Sequence, residues 1–321
     1  MSGEDLFCGP RGKTDMSAMK ISVVIPTFNY GHYLPAAIES VLRQTRPPDE
    51  IVVIDDGSTD DTKQVVARYE PQVRYFYQPN AGLSAARNTG TRLAAGDWTA
   101  YLDSDDAWEP EKLRKQENAI RNMPGALVAY TGFRYLYSDG TFSKCEPATP
   151  PERLWPALRA RNLLPASSVM AHRESVIEAG GFNETLRSCE DWDLWVRLRL
   201  RGPFAAAPEC LTTVRVTPQS MSSNAQRMID NMEAILDGTL LQGLSGLSRV
   251  AWTRRIRSVA ELHAAITVGA FSRSQERERL IKSLLLWPSP FYESRRYLIL
   301  LRNLLGPEAY KRLSRLFSGT A

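Results

Sequence analysis

The stretch Trp98-Thr99-Ala100-Tyr101-Leu102-Asp103-Ser104-Asp105-Asp106-Ala107-Trp108 is an apolar run that stops abruptly in three carboxylates. A strand interior cannot hold unpaired charge, so the pattern reads as a buried strand whose C-terminal end opens into a polar site. In strand-like geometry Asp103 and Asp105 project to one side, and Asp106 to the other or into the following turn, so that two ligands can be held within a few residues. Oxygen donors of this kind suit Mg2+ or Mn2+, which take one or two carboxylates and complete their shell with substrate phosphate oxygens. The rival reading is a turn that starts a helix near Glu109 and Pro110. Spacing alone leaves both open.

On the N-terminal side, strand and helix patterns alternate. A β-branched run at 21–26 is followed by helix-spaced apolar residues at 33–44, then a strand at 50–54 and a helix at 61–69, and a strand at 73–77 and a helix at 83–95. Such alternation predicts right-handed crossovers and a mostly parallel sheet with ligands at the C-terminal ends of the strands. Beyond the quoted stretch the sequence predicts a helix at 111–122, a strand at 127–133, a turn-rich loop at 138–151, strands at 167–171 and 211–216, and a helix at 191–200 between them. From Ala225 onward it reads as helical, with breaks at 243–246 and 287–290. Residues 1–18 lack periodicity and read as a disordered leader. The expected organisation is an α/β domain over 19–224 with a division near 123, then a helical extension over 225–321.

Composition narrows the function. The four cysteines lie far apart with no C-x-x-C spacing, which argues against a zinc site or a disulfide framework and for a reducing compartment. No apolar run approaches the roughly 18 residues of a spanning helix. A cytoplasmic protein is expected. The segment from Gly243 onward carries 14 Lys/Arg against 5 Glu, although the whole chain is only +4. That basic extension is either a solvated face or a peripheral contact with an anionic membrane surface; nucleic acid is the least favoured partner.

At the second strand end, Ser58 and Asp61 have capping spacing, which gives Asp60 and Asp61 a structural reading. Asp55 and Asp56 precede the cap, where a carboxylate can accept from a base N–H or a ribose hydroxyl. There is no G-x-G-x-x-G, which disfavours a dinucleotide fold.

Five segments, in order, carry a family resemblance: residues 21–29 (I-S-V-V-I-P-T-F-N), 50–62 (E-I-V-V-I-D-D-G-S-T-D-D-T), 80–90 (N-A-G-L-S-A-A-R-N-T-G), 102–108, and 180–197 (G-G-F-N-E-T-L-R-S-C-E-D-W-D-L-W-V-R). Together they resemble the inverting family 2 glycosyltransferases of the GT-A fold, over roughly residues 20–215. The resemblance implies an α/β fold with a mostly parallel mixed sheet, in which 19–224 is the catalytic domain, 19–123 its nucleotide-sugar-binding half and 124–224 its acceptor-binding half. It implies that Asp56, supported by Asp55, reads the nucleotide base, that Pro26, Thr27 and Asn29 line the base pocket, and that Arg87 supports the nucleotide or its phosphates. Asp105 then contacts ribose and metal, Asp106 is the main ligand to Mn2+ or Mg2+, and Asp103 supports either one. An inverting transfer needs a general base for the acceptor hydroxyl, and Asp191 matches the family's base; its rival is a capping box with Ser188. A salt bridge to a strand-end aspartate is the rival for Arg87. Burial near Trp192 and Trp195 is expected to raise the pKa of Asp191. Glu190, Trp192 and Trp155 are candidates for the acceptor side. No Q-x-x-R-W follows the Glu190-Asp191 pair, which points to single additions. The resemblance thus implies a nucleotide-sugar donor, UDP by family frequency, and a saccharide or lipid-linked acceptor in cell-surface polysaccharide or glycolipid synthesis. A D-x-D phosphohydrolase using Asp103 as nucleophile and a non-catalytic membrane-surface protein are the alternatives.

Overall fold

The computed structural model describes residues 19–217, 224–269, 272–288 and 295–305, so the expected leader lies outside the described residues. Three β–α units open the chain. They are β1 (Ile21–Thr27) with α1 (Leu34–Leu42), β2 (Glu50–Asp55) with α2 (Thr62–Ala67), and β3 (Val73–Tyr77) with α3 (Leu83–Leu93). Next come β4 (Trp98–Tyr101), the short β5 (Ala107–Trp108), α4 (Lys112–Arg121), β6 (Val128–Leu136) and α5 (Pro151–Ala160). After them lie β7 (Val169–His172), α6 (Arg173–Glu178), α7 (Glu190–Arg199) and β8 (Phe204–Arg215).

Among the described residues eight strands join one sheet in the order β3-β2-β1-β4-β7-β6-β8-β5. The strands β3, β2, β1 and β4 are mutually parallel, with Thr27 opposite Asp55, Asp55 opposite Tyr77 and Val24 opposite Tyr101. Their C-terminal ends therefore share one rim, and the polar segments that follow each strand collect there. β7 reverses direction against β4 and β6, whereas β8 runs parallel to β6. Ile21, Val23 and Ile25 enter the core with α1 and α4, while Val24 enters the opposite core with Tyr101 and Trp195. Burial on both faces explains why β1 reads as a continuous apolar run rather than an alternating one.

The helix α3 lies unusually close to the sheet. A Cβ on Gly90 would stand 2.3 Å from Cγ1 of Val24, so only glycine permits this approach, which sets the height of Arg87 above the strand ends.

Several details depart from the sequence expectations. Neither α5 nor α6 nor β5 was expected, and β8 begins at Phe204 rather than at 211. Neither the cap expected at Ser58 nor the rival cap at Ser188 forms. The Ser58 hydroxyl accepts from the backbone N–H of Asn29 (2.9 Å), and the first turn of α2 is satisfied by Asp60, which accepts from the Thr62 N–H (3.1 Å) and hydroxyl (2.5 Å). The Ser188 hydroxyl accepts from Asn231 (2.8 Å), and α7 has no side-chain cap. In both cases a longer-range partner outcompetes the local bond that spacing suggests.

The C-terminal helices are α8 (Ala225–Ile235), continued by a π-type turn over Leu236–Leu240, then α9 (Gly246–Gly269), α10 (Arg273–Leu286) and α11 (Arg295–Leu305). A break between α9 and α10 was not expected; the Ser272 hydroxyl accepts from the Gln275 N–H (3.4 Å) and starts the new helix. Residues 289 and 290 of the expected break at 287–290 lie outside the described residues. Met232, Ile235, Leu236, Leu240, Leu241 and Ile256 share one core with Trp192 and Trp195, so the extension is packed into the sheet domain.

Candidate active site

The shared rim opens into a cavity of about 530 Å3 lined by residues from β1, β2, α3, β8 and the start of α7. Pro26, Thr27, Asp56, Arg87, Asp103, Asp105, Asp106, Glu190 and Asp191 all line it. Asn29, Asp55, Trp192 and Trp155 do not.

Asp56 sits beneath the loop into α3. One carboxylate oxygen accepts from Gln78 (2.7 Å) and the Ala81 N–H (2.9 Å), the other from the Gly82 N–H (2.8 Å). Asp55 is turned inward, accepting from the Ser58 N–H (2.8 Å) and the Tyr75 hydroxyl (2.6 Å). Asn29, at φ 56°, accepts from the Thr59 N–H (2.7 Å) and ties the β1 loop to the β2 loop. Asp55 and Asn29 thus brace the pocket wall that Asp56 and Thr27 present.

Arg87 is buried and bridges two elements, donating to Asp103 (2.6 Å) and to Glu190 (2.7 Å) with its guanidinium over the Phe182 ring. Burial disfavours its charged form, but Asp103, Glu190 and Asp191 outweigh that and hold it cationic. The salt-bridge reading of Arg87 and its position in the cavity therefore both hold.

The turn after β4 is closed by the Asp106 N–H donating to the Asp103 carbonyl (3.0 Å). Ser167, fully buried beside β7, grips both ends of this turn: its hydroxyl donates to Asp106 (2.5 Å) and accepts from the Asp103 N–H (3.0 Å). The Arg215 N–H holds the other Asp106 oxygen (2.8 Å). Burial, then Asp105 and Asp103, push the Asp106 carboxyl well above the usual range, and burial and Asp103 push Asp105 up to about 6. Crowded carboxylates whose ionised forms are disfavoured are what a bound cation relieves. Among the described residues no group of three or more His, Cys, Asp or Glu side chains is arranged around one metal position. The Asp105 and Asp106 carboxylates are hard oxygen donors, of the kind Mg2+ or Mn2+ takes alongside phosphate and water oxygens.

Asp191 faces this turn from the first turn of α7. Its carboxylate accepts from Asn162 (2.9 Å) and from the Trp192 N–H (2.7 Å). Burial and the adjacent Glu190 raise it to about 7, against the opposing pull of Arg87 and the two hydrogen bonds. The preceding Cys189 holds φ 63°, a left-handed conformation that costs a non-glycine residue about 1 kcal/mol or more and that aims the helix start into the cavity.

Trp192 is almost fully buried and donates to the Leu158 carbonyl (2.6 Å), Trp195 donates to Leu164 (3.0 Å), and Trp155 packs against Arg159, 4.4 Å from its ring. These indoles belong to the core and the α5 surface. His172, paired with Ser175 (2.9 Å) and edge-on to Trp98, is structural. The cavity residues that the sequence did not single out are Phe28, Tyr30, Asn162, Met228 and Arg215. Phe28 and Tyr30 flank Asn29 and could have been suspected; Asn162, Met228 and Arg215 carry no local signal.

The fold is of the GT-A type, and its acidic strand ends meet on one cavity. Residues 22–183 match the model of glycosyl transferase family 2, and the chain belongs to that family. The glycosyltransferase TuaG of Bacillus subtilis strain 168, provisionally assigned to teichuronic acid biosynthesis, is 31% identical over 209 residues, covering 64% of this chain and 82% of TuaG. The fold is shared with S. aureus TarS 1-349 in complex with UDP, with TM-score 0.57 and 16% identity over 90% of this chain and 92% of that one. It is shared too with the mannosyltransferase PcManGT from Pyrobaculum calidifontis in complex with GDP-Man and Mn2+, with TM-score 0.55 and 16% identity over 95% of this chain and 89% of that one. The phosphohydrolase alternative gives way to this membership.

Proposed function

We propose that the protein transfers a single sugar from a nucleotide-sugar to an acceptor hydroxyl with inversion at the anomeric carbon, and that the reaction depends on Mn2+ or Mg2+. The observation that carries this reading is the convergence of Asp56, Arg87, the Asp103–Asp106 turn and Asp191 on one cavity. Asp56 is suited to orient the base and Asp103, through Arg87, to brace the donor side. Asp105 and Asp106 would hold the cation, which supplies charge neutralisation for the departing diphosphate. Asp191, raised to about 7, is poised to take the acceptor's proton near neutral pH as the oxygen attacks from the face opposite the diphosphate. The capping rival for Asp191 loses its partner, since Ser188 is engaged with Asn231.

UDP is the first nucleotide to test, supported by family frequency and by the UDP complex of TarS. The biosynthetic assignment of TuaG supports a cell-surface polysaccharide or lipid-linked acceptor. Among the described residues no helix is long and apolar enough to cross a membrane. A peripheral position on an anionic inner membrane face remains our reading of the basic extension, to be checked by salt-sensitive co-sedimentation with phosphatidylglycerol vesicles.

The deciding experiment is donor hydrolysis with UDP-, GDP- and dTDP-sugars, with and without Mn2+. Slow metal-dependent release of one nucleotide is expected. Silence across the panel, or release indifferent to metal, overturns the reading.

A further inference from the structure

Six carboxylates line the cavity, from Asp56, Asp103, Asp105, Asp106, Glu190 and Asp191, against only two cations, Arg87 and Arg215, among the described residues. A nucleoside diphosphate adds further negative charge to this surplus, so its phosphates need positive partners beyond a single divalent ion. Arg87 is not free to supply one. Its two terminal nitrogens are spent on Asp103 (2.6 Å) and Glu190 (2.7 Å).

Arg215 is arranged differently. At the end of β8 it is anchored at three points: its backbone N–H donates to Asp106 (2.8 Å), its Nε donates to the Asp105 carbonyl (3.1 Å), and its guanidinium carbon lies 4.8 Å from the Tyr33 ring centroid. These contacts leave the terminal nitrogens without a hydrogen-bond partner among the described residues, while the guanidinium charge also acts on the Asp105 carboxylate and pulls its pKa down against the burial that raises it. The result is a pre-oriented fork beside the carboxylates suited to the cation, at the point where a diphosphate bridging metal and sugar would lie.

We propose that Arg215 is a phosphate-binding residue of this site, whose terminal nitrogens receive oxygens of the nucleoside diphosphate in the donor complex and after the sugar has left. The inference rests on the nucleotide-sugar reading of the cavity. Backbone and Nε contacts fix where the guanidinium stands, and the Tyr33 ring lies beside it, so little side-chain freedom is lost on binding.

The test is calorimetric titration of the full-length protein, in Mn2+, with UDP and uridine and with GDP and guanosine, comparing wild type with Arg215→Met and Arg215→Lys. The Met variant should weaken diphosphate binding about 10–100-fold while nucleoside binding stays within about twofold, and the Lys variant should fall between. The Met side chain keeps the backbone N–H to Asp106, and the Lys variant gives a second reading should the Met variant fold poorly. Unchanged diphosphate affinity in both variants overturns the proposal, and so does an equal loss of nucleoside and diphosphate, which marks a purely structural role. Wild-type protein that binds neither of these diphosphates, nor dTDP, overturns the nucleotide-sugar reading itself, independently of Arg215.

Discussion

Asp191, which we propose as the base, illustrates how burial raises a carboxylate's affinity for a proton. Burial and Glu190 lift its folded pKa to about 7, above the roughly 3.9 of an unperturbed aspartate. Activity should therefore rise with pH through about 7 on its acidic limb as Asp191 ionises, and a pH profile of transfer checks this. The stability consequence has the opposite sign. Between about 4 and 7 the folded state holds a proton that the unfolded state has released, so stability falls as pH rises through that window and the ionised form is strained above it. Asp191→Asn should lower transfer about 100-fold or more while raising the melting temperature at pH 8 relative to wild type. Unchanged transfer would return Asp191 to a structural role.

Ser167, unlike Asp191, is a residue whose importance only the tertiary structure reveals. Removing its hydroxyl leaves Asp106 and the Asp103 N–H each short of a buried partner, a cost of about 1–3 kcal/mol. Ser167→Ala should lower the melting temperature and raise the Mn2+ concentration needed for half-maximal nucleotide release. A metal titration with an unchanged midpoint would show that the turn keeps its shape without this hydroxyl. In sequence Ser167 is one small residue in a short run, and nothing local distinguishes it from Ser168.

At the scale of elements, α3 links packing to chemistry. It carries Arg87 and approaches β1 at Gly90, where any side chain collides with Val24. Gly90→Val should cost about 1–3 kcal/mol by overpacking and displace Arg87 from Asp103 and Glu190. Chemical denaturation together with the donor KM checks both effects; an altered stability with an unaltered KM would separate the helix position from the site. The strand and helix alternation that places α3 was legible because each β–α unit carries its own period, and the polar runs at the strand ends marked the rim. The elements α5, α6 and β5 were not. β5 holds only two residues and pairs with β8 across the sequence, and α6 is six residues long, too short to show a helical period. The local cap at Ser58 was misread, and the rival cap at Ser188 does not form, because their partners, Asn29 and Asn231, are 29 and 43 residues away.

At the scale of the whole molecule, the C-terminal helices complete the fold. α8 and the turn after it lay Met232, Leu236 and Leu240 against the helix that starts with Asp191, and Thr239 donates to the buried Asp193 (2.7 Å). Truncation before Ala225 should expose that core and yield insoluble protein, whereas truncation after Leu286, which removes α11, should leave donor hydrolysis intact; solubility and activity assays of both truncations check this. The basic character seen in the sequence is partly neutralised inside the extension, where Arg249 pairs with Asp237, Arg257 with Glu233 and Arg279 with Glu261.

By itself the sequence determined the class of fold, the strand ends that gather into a site, and the carboxylates that give the site its chemistry. Those properties follow from local periodicity and from the cost of burying charge, which any single segment displays. Only the tertiary structure decided that Arg87 joins Asp103 to Glu190, that Ser167 and Arg215 hold Asp106, and that the tryptophans of α7 serve the core. Each of these depends on side chains far apart in the chain meeting within about 3 Å, a distance range set by hydrogen bonding and reached only when the elements have packed.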